Sequence, residues 1–206
     1  MFYGDFFMKK YLINYIYDNK NKIKILCFIM LIGIFVGIIF FNILSNELKE
    51  DILKDFTNTL NLSKEENFQM INVILNSALL NIVSIIVIYL ISLFIIAPYI
   101  TSLFSFIKGL SIGFYIASLI KVFGFGNGII CTLTVVLVPN IIYLPTLIYM
   151  LVNSVNFHYS IFEKRISLSL FIKELYYIII SISLILVSIM LEQAMCNVMI
   201  NIWRSI

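Results

Sequence analysis

Apolar residues recur along this chain in long, nearly unbroken runs, and the polar residues gather between them. A membrane-crossing helix needs about 20 apolar residues to traverse about 30 Å of hydrocarbon, and five runs approach or exceed that length. They cover approximately 23–44, 73–97, 99–123, 127–152 and 175–191, and the first carries no charge after Lys24. The pattern predicts an all-α fold, a polytopic transmembrane helical bundle of about five helices plus a short outer amphipathic helix. It is read as a single integral membrane domain over 1–206, with a cytoplasmic N-terminal segment at 1–22, an outer loop at 45–70 and a cytoplasmic loop at 153–173.

The loop at 45–70 has a pattern of its own. Leu48, Ile52, Leu53 and Phe56 recur at helical spacing with acids between them, which predicts an amphipathic helix lying on the outer surface. Ser63 followed by Glu66 is a capping box, so the second membrane helix is expected to start near Lys64. The plain reading of Leu48, Ile52 and Phe56 is a connector resting at the interface. The functional alternative is a docking surface for an extracytoplasmic partner.

Composition excludes a water-soluble fold. Hydrophobic residues make up 62% and charged residues 12% of the 206-residue chain, against about 45–50% and about 25% in a typical globular domain. A soluble monomer would have to expose large contiguous apolar patches. The net charge of +3 says less than where the charges lie. The N-terminal segment and the start of the first run carry Lys9, Lys10, Lys20, Lys22 and Lys24 against Asp5 and Asp18, and Lys164, Arg165 and Lys173 lie between the fourth and fifth runs. The loop between the first two runs is instead acidic, with Glu47, Glu50, Asp51, Asp55, Glu65 and Glu66 against Lys49, Lys54 and Lys64. Basic flanks stay in the cytoplasm, so the expected topology is a cytoplasmic N-terminus and an extracytoplasmic C-terminus. The first run starts too late, is too long and lacks a small-residue cleavage site, so it reads as a permanent helix and not a signal peptide. Met8 is an alternative start. Cys27, Cys131 and Cys196 include no Cys-x-x-Cys pair and read as small hydrophobes, a Cys131–Cys196 bond being the less favoured alternative. Abundant Ile, Asn, Lys, Tyr and Phe, residues with AT-rich codons, suggest a low-GC bacterium.

Few residues offer chemistry. Gly33 with Gly37 and Gly109 with Gly113 are two GxxxG pairs, each presenting one helix face on which a neighbouring backbone can approach closely, by default within the same chain. Lys108 has two readings. It lies mid-membrane if the third helix begins at Tyr99. The preferred reading starts that helix at Lys108, with 98–107 as an interfacial segment from which the lysine snorkels to the headgroups. Pro139, Asn140 and Pro145 mark a kink in the fourth helix, read as structural because the run holds no carboxylate, histidine or arginine to bind an ion or relay a proton. His158, the single histidine, reads as a solvated loop residue, and Glu192 as an interfacial one. Nothing supplies a catalytic constellation, a metal cluster or a cofactor motif, so neither an enzyme nor a cofactor is expected.

The order of several short motifs resembles a known family. An opening helix with Gly-Ile-Phe-Val-Gly is followed by the acidic outer loop. Then come Lys108-Gly-Leu-Ser-Ile-Gly-Phe114, the turn Gly124-Phe-Gly-Asn-Gly128 and Val138-Pro-Asn-Ile-Ile-Tyr-Leu-Pro145. Taken together over about 23–191, these resemble stage II sporulation protein M of endospore-forming bacteria. Members often show a proline, a polar pair and a Glu before a second proline. Here Val138 stands in place of the first proline, Pro139 and Asn140 fill the polar pair and Tyr143 stands where the acid would be, so no chemistry of that acid carries over. The resemblance implies a membrane scaffold at the sporulation septum. It would recruit the membrane-anchored peptidoglycan-degrading stage II sporulation proteins D and P for engulfment of the forespore, with the bilayer and no nucleic acid as its other partner. The alternative is a membrane-embedded subunit of a small-solute or lipid transporter, for which mid-membrane polar residues look sparse in the sequence.

Overall fold

A computed structural model of the chain describes residues 3–51, 54, 79, 81–163 and 168–204, with side chains described between Ile13 and Met195. Every element among them is helical. They are α1 (Tyr3–Ile43), α2 (Asn81–Ile91), α3 (Ala97–Cys131), a π-helical stretch (Thr132–Leu137), α4 (Val138–Phe162) and α5 (Leu168–Arg204). A helical turn at 46–51 follows α1.

The contacts between elements give each helix its direction. Gly109 lies against Met30 and Gly113 against Ile34, while Phe41 meets Phe114 edge to face with ring centroids 5.2 Å apart. Residue numbers therefore rise together in α1 and α3, and these two helices are parallel. Ser154 donates to the carbonyl of Ile88 at 3.2 Å, and Tyr143 donates to Asn81 Oδ1 at 3.3 Å, so α2 runs parallel to α4. Ser188 donates to the carbonyl of Pro139 at 3.0 Å, and Phe157 stacks on Phe171 at 5.5 Å, so α5 runs antiparallel to α4. A reversal at Gly124, the one described residue with a positive φ (76°), turns α3 back on itself. Beyond it Leu119 packs with Cys131 and Val135, so the two sides form an antiparallel hairpin. Taken from the seam, the hairpin and these contacts, directions alternate through α1, α2, the first arm of α3, α4 and α5, although the N-terminal turns of α1 meet α4 with residue numbers rising together, Tyr15 at Asn153 and Lys22 at Asn156.

Among the described residues three stretches are long and apolar enough to cross a membrane, namely Ile13–Ile43, Ala97–Phe162 and Leu168–Met195, where the sequence predicts five. The difference has two sources. Ala97–Phe162 is 66 residues of helix containing both arms of the hairpin, and α2 is short within its described residues. Large apolar side chains cover the outside of the bundle, including Phe28 (64% exposed), Phe35 (66%), Ile179 (63%) and Met190 (69%). In water such a surface is untenable; in lipid it is the ordinary exterior of a helix.

The tightest interface is α1 on α3. At i+4 intervals α3 buries Ala97, Thr101, Ser105, Gly109, Gly113 and Ala117, a ridge of small residues. A Cβ built on Gly33, Gly37, Gly109 or Gly113 would come within 3.0 Å of the other helix's carbonyl oxygens, at Phe106, Leu110, Met30 and Ile34 respectively. Only glycine permits this approach. Ser105 adds a hydrogen bond across the seam to the Leu26 carbonyl at 2.9 Å.

Several boundaries differ from those the sequence suggests. The second run was expected to reach Ala97, but α2 ends at Ile91 and a turn spans 92–96. Pro98 opens α3 in its first turn, where a missing N–H costs nothing. Residues 98–107 are continuous α-helix with Lys108, so the helix does not begin at the lysine as expected. The stretch 153–173, expected as a loop, is helical up to Phe162 and again from Leu168. His158, expected in solvent, is buried with Nδ1 3.2 Å from the Ser92 carbonyl, because α4 continues past the end of its apolar run and α2 packs there. The N-terminal segment is helical from Tyr3. Its later turns are joined to α4 by Tyr15 donating to Asn153 Oδ1 (2.8 Å), Asn156 donating to Asn19 Oδ1 (3.0 Å) and Lys22 donating to Asn156. Ile52, Phe56 and the Ser63–Glu66 box lie outside the described residues, as does the side chain of Cys196.

The π-helical stretch ends just before Pro139. Proline has no N–H to close the preceding turn, and a π turn is one way of accommodating the mismatch. Asn140 Nδ2 donates to the Val136 carbonyl at 2.7 Å, and Thr146 donates to the Ile142 carbonyl at 2.8 Å. These side chains bond backbone carbonyls beside each proline, where lipid offers no donor.

Two substitution sets test these contacts by denaturant unfolding of the detergent-solubilised protein. Gly113→Leu should destabilise the fold by about 1–3 kcal/mol or more through overpacking, whereas Gly126→Ala, in open space, should lie within about 0.5 kcal/mol of the parent. Asn140→Leu should cost about 0.6–1.7 kcal/mol, the range for a polar contact within a membrane bundle; an unchanged midpoint would show that the Val136 carbonyl finds another partner.

Candidate functional site: a polar cavity inside the bundle

Four helices bring polar side chains to one cavity of about 250 Å³. Lys108, Ser111, Ile112 and Tyr115 come from α3, and Val135 and Val136 from the π stretch. Pro139, Asn140 and Tyr143 come from α4, Ser188, Ile189 and Glu192 from α5, and Asn81 from α2.

Lys108 sits eleven residues into the first arm of α3, about 16 Å along the axis from Ala97 at 1.5 Å per residue. It is half-buried. Its ammonium lies 3.5 Å from Asn81 Oδ1, at the outer limit of a hydrogen bond. The rest of its company is aromatic, with the Tyr143 ring 5.5 Å away and the Phe104 ring 5.7 Å away. Tyr143 also donates to Asn81 Oδ1, so one amide oxygen gathers both the hydroxyl and the ammonium. Glu192 lines the same cavity from α5 and feels the charge of Lys108. Yet the one ion pair among the described residues is Lys54 with Asp51, at 4.0 Å. Lysine and glutamate therefore face one space without touching.

Of the residues singled out from the sequence, Lys108, Pro139 and Asn140 meet in this cavity. Pro145 lies inside α4 but does not line it. Gly33, Gly37, Gly109 and Gly113 form the α1–α3 seam. Leu48 is exposed on the helical turn after α1, beside exposed Glu47, Glu50 and Asp51. Asn81, Ser188 and Glu192 were not singled out as a site, because each comes from a different helix and only packing unites them. A polar convergence within the bundle, which no single apolar run displays, is therefore present. Its one foreshadowing was that Lys108, Tyr143 and Glu192 each interrupt an apolar run or lie at its end.

A second buried polar group was also missed. Glu174 in α5 is 7% exposed, and its Oε2 has no hydrogen-bond partner, as is true of Tyr89 Oη, Asn153 Nδ2 and Ser181 Oγ. No cluster of His, Cys, Asp or Glu suited to a metal occurs among the described residues.

Lys22 and Lys173, one from each basic segment, lie at one end of the bundle. Lys22 reaches Asn156 and stands 5.2 Å over the Tyr159 ring, and Lys173 stands 5.7 Å over Tyr177, near the Phe157–Phe171 contact. The acidic turn after Ile43 is at the opposite end of α1.

The family model for SpoIIM, Stage II sporulation protein M, matches residues 25–194. That interval contains the α1–α3 seam, the hairpin at Gly124, the π stretch and the whole cavity wall. No match is found among the curated proteins or among the solved structures. By a match over most of its length, one that holds every contact fixing its helix directions, this chain belongs to the Stage II sporulation protein M family.

Proposed function

We propose that the chain is a membrane scaffold of the sporulation septum that holds peptidoglycan-degrading partners in place during engulfment and catalyses no wall chemistry itself. The observation that carries this reading is the family match over 25–194, the part of the chain that forms the packed bundle. A bundle whose helices touch backbone to backbone offers a stiff platform, and lytic chemistry would then belong to the partners, the stage II sporulation proteins D and P.

The layout proposed is five crossings with the N-terminus in the cytoplasm. The alternation of α1, α2, the first arm of α3, α4 and α5 supports it, and so does the placing of Lys22 and Lys173 at one end with the acidic turn at the other. Partner docking is assigned to the outer segment that begins with exposed Leu48 and continues through Ile52 and Phe56.

A second reading, a membrane-embedded transporter subunit for a small solute or lipid, draws on the polar cavity around Lys108. A transported substrate should appear as uptake or flipping by the purified chain alone, which a scaffold would not show.

Three outcomes check the scaffold reading. Affinity purification from sporulating cells should bring both lytic partners with the chain; their absence under mild detergent extraction would contradict it. Deleting 47–58 should leave the chain in the membrane and reduce septal recruitment of the partners severalfold by fluorescence, and undiminished recruitment would remove the docking surface. A reporter fused ahead of Tyr3 should report the cytoplasm and one fused after Ile206 the outside.

A further inference from the structure

Opposite charges inside a membrane bundle attract strongly. The Coulomb term grows as the surroundings become less polar, and an intramembrane ionisable group is normally paired. Lys108 and Glu192 line one cavity, yet no ion pair joins them. Lysine has three donors; here it has one long contact, to Asn81, and two ring faces. Glu192 makes no ion pair among the described residues, although the cation across the cavity would suit it.

The wall between them is polar as well. The Ser111 and Ser188 hydroxyls donate to the carbonyls of Ile107 and Pro139, and Asn140 Nδ2 donates to Val136. Their oxygens keep lone pairs that can accept further hydrogen bonds. At about 250 Å³ the cavity is below the span of about 300–1,000 Å³ typical for drug-sized molecules, which suits a small molecule or a headgroup entering from its open side. A simple anion would satisfy Lys108 and be repelled by Glu192, and a simple cation would do the reverse. A molecule carrying both an anionic group and an ammonium answers both walls.

We propose that this cavity is a binding site for a small zwitterion, with its anionic group against Lys108 and its ammonium against Glu192. Phosphoethanolamine has this chemistry, and it is available as the headgroup of phosphatidylethanolamine or as a free solute. The site is independent of the scaffold reading, since a scaffold with or without a ligand in its core would recruit the same partners.

The test uses the full-length chain. In detergent, free phosphoethanolamine is titrated by calorimetry, with inorganic phosphate and ethanolamine as separate controls. In parallel, the chain is reconstituted in nanodiscs of mixed phosphatidylethanolamine and phosphatidylglycerol, and retained lipid is read by native mass spectrometry. Saturable binding of free phosphoethanolamine, or selective retention of phosphatidylethanolamine, is expected, the first indicating a solute and the second a lipid. Lys108→Gln and Glu192→Gln should each weaken it by at least about tenfold, and Lys108→Arg should largely restore it. Glu192 is exposed, so Glu192→Gln should leave the unfolding midpoint unchanged and keeps the test valid if Lys108→Gln fails to fold. The proposal fails if the parent chain binds neither form, if Glu192→Gln binds as tightly as the parent, or if inorganic phosphate binds as well as phosphoethanolamine.

Discussion

Two helices in backbone contact constrain where every other part of this bundle can go. At the α1–α3 seam, Gly33 and Gly37 interlock with Gly109 and Gly113 so closely that a single added methyl on any of them would strike a carbonyl of the opposite helix. Lipid offers no hydrophobic force to bring helices together, so association rests on such close packing and on polar contacts like that of Ser105 with the Leu26 carbonyl. The seam also sets topology. Parallel helices have their starts at the same end, so the chain between Ile43 and Ala97 must return the length of the bundle, and α2 lies on that return, antiparallel to both.

From this frame the polar interior follows. The reversal at Gly124 lays the second half of the long helical stretch against the first, which brings Pro139, Asn140 and Tyr143 opposite Lys108. Proline and the π stretch before it disturb the backbone ladder there, and Asn140 and Ser188 satisfy carbonyls nearby. α5, packed antiparallel on α4, then adds Glu192 to the same wall. The cavity is thus a consequence of how the helices pair, and its charges come from segments that look almost wholly apolar when taken one at a time.

Much of the helical character and both glycine pairs were legible in the sequence, because each depends on residues within one helix. A four-residue glycine spacing is visible by inspection. That one pair is the partner of the other is not, since some seventy residues separate them and no local pattern encodes the match. Hydropathy marked the runs well but misjudged their ends. His158 and Glu174 lie among polar residues in sequence yet are buried, because α4 and α5 extend beyond their apolar cores and pack on each other and on α2. Lys108 stands out in the sequence as a charge near an apolar run, but the helix containing it starts at Ala97 and not at the lysine. Asn81 gives no sign of belonging with it, and Glu192 shows only as a charge at the end of an apolar run. Family membership was legible from the order of motifs, none of which is distinctive alone.

The parallel α1–α3 seam is the claim on which the helix directions, the return crossing and the cavity all depend. Its most direct test is thiol cross-linking in native membranes, in a background where Cys27, Cys131 and Cys196 are replaced by alanine. With a short bifunctional thiol reagent, the pair Phe41→Cys and Phe114→Cys should cross-link, as should Leu26→Cys with Ser105→Cys, while Leu26→Cys with Phe114→Cys should not. Cross-linking of the mismatched pair in preference to the two matched ones would contradict the parallel arrangement.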